Sequence, residues 1–370
     1  MVMRNLAILS WLRVKRRGFW LLIIGVAIVI GTVFFGVTQW QLAQENETII
    51  VRLERGSDEL GWQLRDTPPK PAKIPKQAVT YWRVVDAKQQ MLVAMHHASQ
   101  AKKDGNEQDY TRWHATLLAA SAQLDKYVPN GAAEFTTLDI QTIKQQLKRD
   151  RYLLATGQTV INSIYSLAPR AVLTRLFLFL LCPPILIFLL LGLNWLWRDS
   201  FDTKTHQFLL LHVRQRSHVM WENLVSTIVL MALFSLICGG TTGILAILFG
   251  GKESVAWSYP LTPQTSLGVQ AAILAVFAAP IVWCLTAGVQ AVTLLLHHIS
   301  TRIAVLVIVS AGITFLPFGI SLNPFAQLGY RLLDWQQPLN IWALVPLLIV
   351  AASLTWAVDT LLNRHRQLSA

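Results

Sequence analysis

The stretch from Phe19 to Thr38, FWLLIIGVAIVIGTVFFGVT, contains no charged residue. A helix needs roughly 20 apolar residues to cross a bilayer, so this run is long enough by itself. Inside a bilayer the backbone finds no water to bond, and such a stretch satisfies its own N–H and C=O groups as a helix. A secretory signal would have a shorter apolar core and a small-residue cleavage site. Here Gln39, Trp40 and Gln41 follow instead, which predicts an uncleaved first span. Composition agrees. Hydrophobic residues make up 53% of the chain and charged residues 14%, against about 25% charged in soluble domains.

Further apolar runs follow, and the sequence predicts an all-α polytopic membrane protein with six transmembrane helices and a helical extracytoplasmic insert between helices 1 and 2. The expected organisation is an interfacial cytoplasmic helix at 1–17, the first span at 18–39, the insert at 40–170 and the second span at 171–197. A cytoplasmic segment at 198–222 follows, then spans three to six within 223–363 and a cytoplasmic tail at 364–370. The last four spans centre on 224–250, 267–296, 303–322 and 340–362. Orientation comes from the placement of Lys and Arg, which collect in short cytoplasmic loops. Arg4, Arg13, Lys15, Arg16 and Arg17 precede the first span, Arg198, Arg214 and Arg216 follow the second, and Arg364 and Arg366 end the chain. Both termini are therefore expected inside a cell membrane, taken as a bacterial plasma membrane. The net charge of +12 reads as orientation beside anionic lipid headgroups. Nucleic acid is not an expected partner, because no basic face lies on a soluble domain.

Within the spans, Pro183 and Pro184 predict a kink in the second and Pro280 lies inside the fourth. Ala27 and Gly31 form a small-xxx-small pair that permits close helix packing. Cys182, Cys238 and Cys284 all fall in apolar runs, so they read as packing residues rather than disulfides or metal ligands.

The insert has charges of both signs and no spanning run. Residues 67–76, TPPKPAKIPK, predict an extended linker. Tyr110, Trp113, Leu117, Ala120, Leu124 and Tyr127 recur at three and four, one stripe of a helix. Val84, Ala87, Met91 and Ala94 repeat in the same way, and the polar turn KKDGNEQD at 102–109 separates the two, predicting a helical hairpin. A third helix carrying Ile140, Ile143 and Leu147 is expected, with Thr136 or Thr137 as its cap. His96 and His97 are expected on different faces and His114 alone, all as surface or partly packed histidines. Asn46-Glu47-Thr48 matches a glycosylation sequon.

The segment WRDSFDTKTHQFLLLHVRQRSHVMWE, from Trp197 to Glu222, lies between two spanning runs and is too short to fold alone. Four apolar residues, Phe208 to Leu211, sit among charges. Asp199 and Asp202 are followed by Thr205, then by Phe208, Leu209 and Leu210, and then by Arg216. This pattern resembles the loop between the second and third spans of permease subunits of ABC exporters, the superfamily that includes multidrug, polysaccharide and antimicrobial-peptide exporters. The chain departs at Lys204, where a Gly is usual, at Val213, in place of a Pro, and at Asn223, near the usual Lys. The resemblance implies a second permease subunit, in a homo- or heterodimer, and a cytosolic ABC ATPase subunit. That partner would bind ATP and Mg, with no cofactor in this chain. The coupling residues it implies are Asp202, Thr205, Phe208, Leu209, Leu210, Leu211, Arg214 and Arg216, with the apolar ones as a knob in the ATPase and the charged ones as a rim.

Other chemistry is missing. The nearest approach to a phosphate-binding loop, Gly250-Gly251-Lys252-Glu253, lacks the first Gly and the hydroxyl residue, so the chain is expected to be no ATPase itself. His218 and Glu222 lie one turn apart but do not complete a metal site. The spans hold almost no ionisable residue at mid-depth, which argues against an ion-coupled carrier. Sparsely polar spans favour an amphipathic cargo such as a peptide. Two rivals stand beside the permease. One is a membrane sensor or scaffold with a ligand-binding insert, and the other is a lipid enzyme, for which no clustered polar set exists.

Overall fold

The computed structural model describes residues 19–72, 74–136, 138–157, 165–190, 217–250, 257–262, 265–296, 299–315, 325, 327 and 340–367. Apart from turns and irregular connections they are helical, with one two-stranded ladder of β1 (Pro260–Thr262) and β2 (Thr265–Ser266), which the sequence does not lead one to expect. Four helices are long and apolar enough to cross a membrane, or five if one bent pair counts as a single span. The described residues divide between two compact units.

The first unit draws on residues up to Phe35, on Pro169–Phe249 and on the chain from Thr265 onward. Its helices are the start of α1 (Phe19–Leu64), the pair α6 (Pro169–Leu181) and α7 (Pro183–Leu190), α8 (Ser217–Phe249), α9 (Leu267–Leu295), the shorter apolar α10 (Ile299–Phe315) and α11 (Leu344–Gln367). The expected kink is present: α6 and α7 meet at Cys182 with a bend of 66°. Pro183 has no N–H to continue the ladder, and its ring obstructs the carbonyl four residues earlier. Pro280 lies inside α9 without ending it.

Close packing of α1 on α8 uses the small-residue pair. The Cys238 thiol donates to the Ala27 carbonyl at 3.2 Å, and the Thr242 hydroxyl donates to the Gly31 carbonyl at 3.1 Å. Four residues up one helix match four residues up the other, so α1 and α8 run parallel. Gly239 lies over Phe177 and Leu173, and Gly243 lies over Leu173 alone, so α8 runs antiparallel to α6. The Trp283 indole donates to the Thr355 hydroxyl at 3.0 Å, and Ala291 packs with Val358, so α9 and α11 run parallel. Cys182, Cys238 and Cys284 are free and buried.

The second unit draws on Gly36–Ala168 and Gly250–Gln264. Here α1, 46 residues long, continues to Leu64 and is joined by α2 (Val79–Lys103), α3 (Glu107–Tyr127), the short α4 (Ala133–Thr136) and α5 (Ile140–Thr156). The expected hairpin is α2 and α3. Its turn uses Gly105 at φ +69°, which glycine adopts without a Cβ clash, and Asn106 caps α3 by accepting from the Asp109 N–H at 3.1 Å. Ala87, Met91 and Ala94 from α2 meet Tyr110, Leu117, Ala120 and Leu124 from α3 in one core, with Leu53 and Leu60 from α1. A fully buried side chain of this size contributes about 1.5–3 kcal/mol. The linker is irregular and is tied back by Lys70, whose ammonium donates to Asp86 at 2.6 Å.

The cap of the third helix differs from the expectation. Asp139 caps α5, accepting from the Thr142 N–H at 3.4 Å, while Thr136 ends α4 and bonds the Ala132 carbonyl. Asp is among the best N-caps because its carboxylate also faces the positive end of the helix dipole, so it wins over a threonine three residues away. The sequon also sits inside α1, with the Thr48 hydroxyl on the Gln44 carbonyl, whereas acceptors belong to surface loops.

Two carboxylates here are held below the usual range. Hydrogen bonding with Thr142 does this for Asp139, and the bond from Lys103 at 2.5 Å does it for Glu54, with Ser99 adding to it. A carboxyl that is more acidic folded than unfolded contributes stability above its unfolded pKa and loses it as pH falls through the folded value. Thermal midpoints in mild detergent are therefore expected to hold from pH 7 to about pH 5 and then to fall below about pH 4. Asp139→Asn, which keeps the cap, is expected to show a shallower fall. Parallel acid limbs for the two proteins would remove Asp139 from this account.

Candidate functional site

The eight residues expected to couple to an ATPase, Asp202, Thr205, Phe208, Leu209, Leu210, Leu211, Arg214 and Arg216, lie outside the described residues, as does the interfacial segment 1–17. The described residues show a different candidate: an open cleft of about 600 Å³ on the second unit, between α1 and α2.

Its α1 wall is Ser57, Asp58, Gly61, Trp62 and Arg65. Positions 58, 61 and 62 are spaced by three and four, so they form one stripe on α1, and Arg65 stands in the turn just past its end. The α2 wall is Leu92, Val93, His96 and His97. The two helices run antiparallel. Glu54 pairs with Lys103, Gly56 lies under Met95, and Lys88 donates to Gln63 at 2.6 Å. That register orders the cleft along its length. Ser57 and Asp58 face the His96–His97 end, Gly61 and Trp62 face Leu92 and Val93, and Arg65 closes the far end.

Each wall has a local cause. Leu53 and Leu60 bury one face of α1, which turns Asp58 and Trp62 outward. Trp62 is 71% exposed, unusual for the largest side chain, and the Arg65 guanidinium lies 5.4 Å from its ring centroid. On α2, Met91, Ala94, Met95 and Ala98 are buried and leave Val93, His96 and His97 exposed. The His97 ring stacks on Trp113 of α3, with centroids 4.4 Å apart, and His96 meets it edge-on at 5.8 Å. The two histidines expected on different faces thus line one cleft, because adjacent side chains on a helix can both flank a groove that is wider than one residue. His96, His97 and Asp58 do not form a metal-binding group; among the described residues no such group of three exists.

The third histidine is not alone. His114 Nδ1 lies 2.7 Å from Asp150, which is 4% exposed, and its ring stacks on Tyr110 at 5.5 Å. Burial pushes the Tyr110 phenol up, with the Glu107 and Asp150 charges adding to it. Lys102, 6% exposed, pairs with Glu107 and lies 4.9 Å from the centroid of the same ring. This buried polar set joins α2, α3 and α5.

Comparison with protein-family models, with curated proteins and with solved structures finds no match for this chain.

Proposed function

We propose that this chain is the permease subunit of an ATP-driven ABC exporter. It forms a translocation pathway with a second permease, as a homo- or heterodimer, and is driven by a separate cytosolic ATPase that binds ATP and Mg. The observation that carries this reading is where the segment 198–222 falls. Its last residues, 217–222, open α8, and α8 runs antiparallel to α6, as expected of two consecutive spans joined by a segment on one side of the membrane. That is the position a coupling loop requires. The parallel pair α9 and α11 supports the count of six spans, since the chain between them has to cross back, and the apolar α10 lies in that interval. On this reading Phe208 to Leu211 enter the ATPase, and Asp202, Arg214 and Arg216 set the register at its rim. Both termini are cytoplasmic, and the cargo is amphipathic, such as a peptide.

The test is a pull-down from mild-detergent extract of the native host. An ATPase is expected to co-purify with the wild type and to be lost with Leu210→Asp plus Arg216→Glu. Absence of any ATPase from the wild-type sample, with the chain itself recovered, overturns the permease reading. One observation favours the rival, a sensor whose insert binds a ligand: the cleft beside Trp62 is open and lined with chemistry. In that case function persists in cells that lack the ATPase.

A further inference from the structure

We infer that the cleft between α1 and α2 binds a short peptide segment with an apolar residue between a basic and an acidic group. The inference rests on the amphipathic peptide cargo proposed above and names where such a cargo is first held.

The argument starts from the order of side chains along the groove. Asp58 lies at one end and Arg65 at the other. Among the described residues neither forms an ion pair, so each charge is available to a ligand. Trp62 and Val93, 71% and 49% exposed, supply an apolar middle, and among the described residues of this unit Trp62 is the most exposed large apolar side chain. A contiguous exposed apolar patch rimmed by polar groups is a pattern of binding surfaces. Gly61 deepens this middle. A Cβ built on it would meet nothing within 4 Å, so the groove floor there is open space.

Length then selects the ligand. Seven residues separate Asp58 from Arg65, which on a helix is about 10 Å. An extended peptide advances about 3.3–3.6 Å per residue, so about three residues cover that distance. A cationic side chain fits against Asp58, with His96 and Ser57 as polar neighbours, and a carboxylate fits against Arg65. The intervening apolar side chain packs against the indole of Trp62, beside the Arg65 guanidinium that lies over the same ring. A purely apolar ligand would leave both charges unused, and a small anion would leave the apolar middle empty.

The experiment uses the full chain in detergent micelles and equilibrium dialysis with acetyl-Lys-Leu-Glu-amide. Three companion peptides replace Lys, Glu or both with Gln. The charged peptide is expected to bind, and each single neutralisation to weaken it by about three- to fivefold, the size of an exposed ion pair. Asp58→Asn is expected to erase the penalty for losing Lys, and Arg65→Gln the penalty for losing Glu. Trp62→Ala is expected to weaken binding by about tenfold or more, as for an aromatic anchor. Gly61→Leu fills the groove where nothing stands in its way. It is expected to abolish binding while leaving the thermal midpoint intact. Equal binding of all four peptides overturns the charge assignment, and so the inference. No binding of the charged peptide, or binding unchanged in Trp62→Ala and Gly61→Leu, also overturns it. Because the assay needs no ATPase, a failure here is distinct from a failed pull-down.

Discussion

Gly31→Leu is expected to break the packing of α1 on α8, whereas Gly25→Leu on the same helix is expected to fold normally. A Cβ on Gly31 would lie 2.9 Å from the Cys238 carbonyl oxygen and 3.2 Å from both Thr241 and Thr242 side chains. The nearest atom is backbone, so it cannot swing aside as the end of a long side chain would. Helix α8 has to move, and two hydrogen bonds, from Cys238 to Ala27 and from Thr242 to Gly31, depend on its position. Overpacking of a tight core costs about 1–3 kcal/mol, and each interhelical bond in a membrane adds about 0.6 kcal/mol. The sum, about 2–4 kcal/mol, is a large part of a typical net stability of about 5–15 kcal/mol. Around Gly25 a Cβ would find nothing within 4 Å. The control therefore carries the same substitution, in the same apolar helix, without the clash. Detergent melts are expected to show Gly31→Leu far below wild type and Gly25→Leu beside it. Equal melts for the two leucine variants would remove this interface from the account. Gly31→Ala is expected to fall between them, since it adds the clashing Cβ and nothing beyond it.

This interface also marks the border between what the sequence made legible and what it did not. The pair Ala27 and Gly31 was visible as a small-residue step. Its partners, Cys238 and Thr242, repeat the same four-residue step but are separated from it by more than two hundred positions. Periodicity tells which face of a helix is special and not which helix meets it. The spans themselves were legible because hydropathy over a window integrates many residues. The end of α1 was not. Hydropathy stops near Thr38, but the chain continues as helix to Leu64, because nothing between them terminates a helix and Pro68 and Pro69 come only afterwards. A change of solvent is not a helix stop signal.

The candidate cleft was hidden for a related reason. Asp58, Gly61 and Trp62 form a stripe only if 40–64 is read as helix, and the repeat that marks it, Ile49, Leu53, Leu60 and Leu64, is interrupted by Gly56 and Gly61. The opposing wall was half visible, since the repeat through Ala87, Met91 and Ala94 placed the core face of α2 and so left His96 and His97 outside. Cap choice was harder. Thr136, Thr137 and Asp139 are all acceptable N-cap residues within four positions, and α4 occupies the first of them. The coupling residues themselves, 202 to 216, lie outside those described, so of the structure only the antiparallel run of α6 and α8 bears on that segment.

Glu107→Gln is expected to destabilise the insert strongly, and Lys102→Met hardly at all, although both remove the same ion pair. Lys102 and Glu107 lie five apart across the hairpin turn, a spacing that no single helix brings together, so the sequence shows only a polar, apparently solvated loop. In the fold the Lys102 side chain is 1% exposed, while that of Glu107 is 22% exposed. The burden of desolvation therefore falls on the cation. Removing the carboxylate leaves a buried ammonium against the face of Tyr110 without its ion-pair partner. Uncompensated buried charges cost about 3–5 kcal/mol, and the partial exposure of Glu107 places this case near 3 kcal/mol. Removing the ammonium instead leaves a carboxylate that water reaches, at the start of α3, where the helix dipole favours it. Methionine has a similar volume and fills the same space against Tyr110, so Lys102→Met is expected within about 1 kcal/mol of wild type. The double variant Lys102→Met plus Glu107→Gln is then expected to recover most of what Glu107→Gln loses, a non-additivity that identifies the pair rather than the loop. Thermal melts of the four full-length proteins at pH 7 decide it. If the double variant is as unstable as Glu107→Gln alone, the carboxylate supports the fold through some other contact, and the buried ammonium is not the reason that it is there.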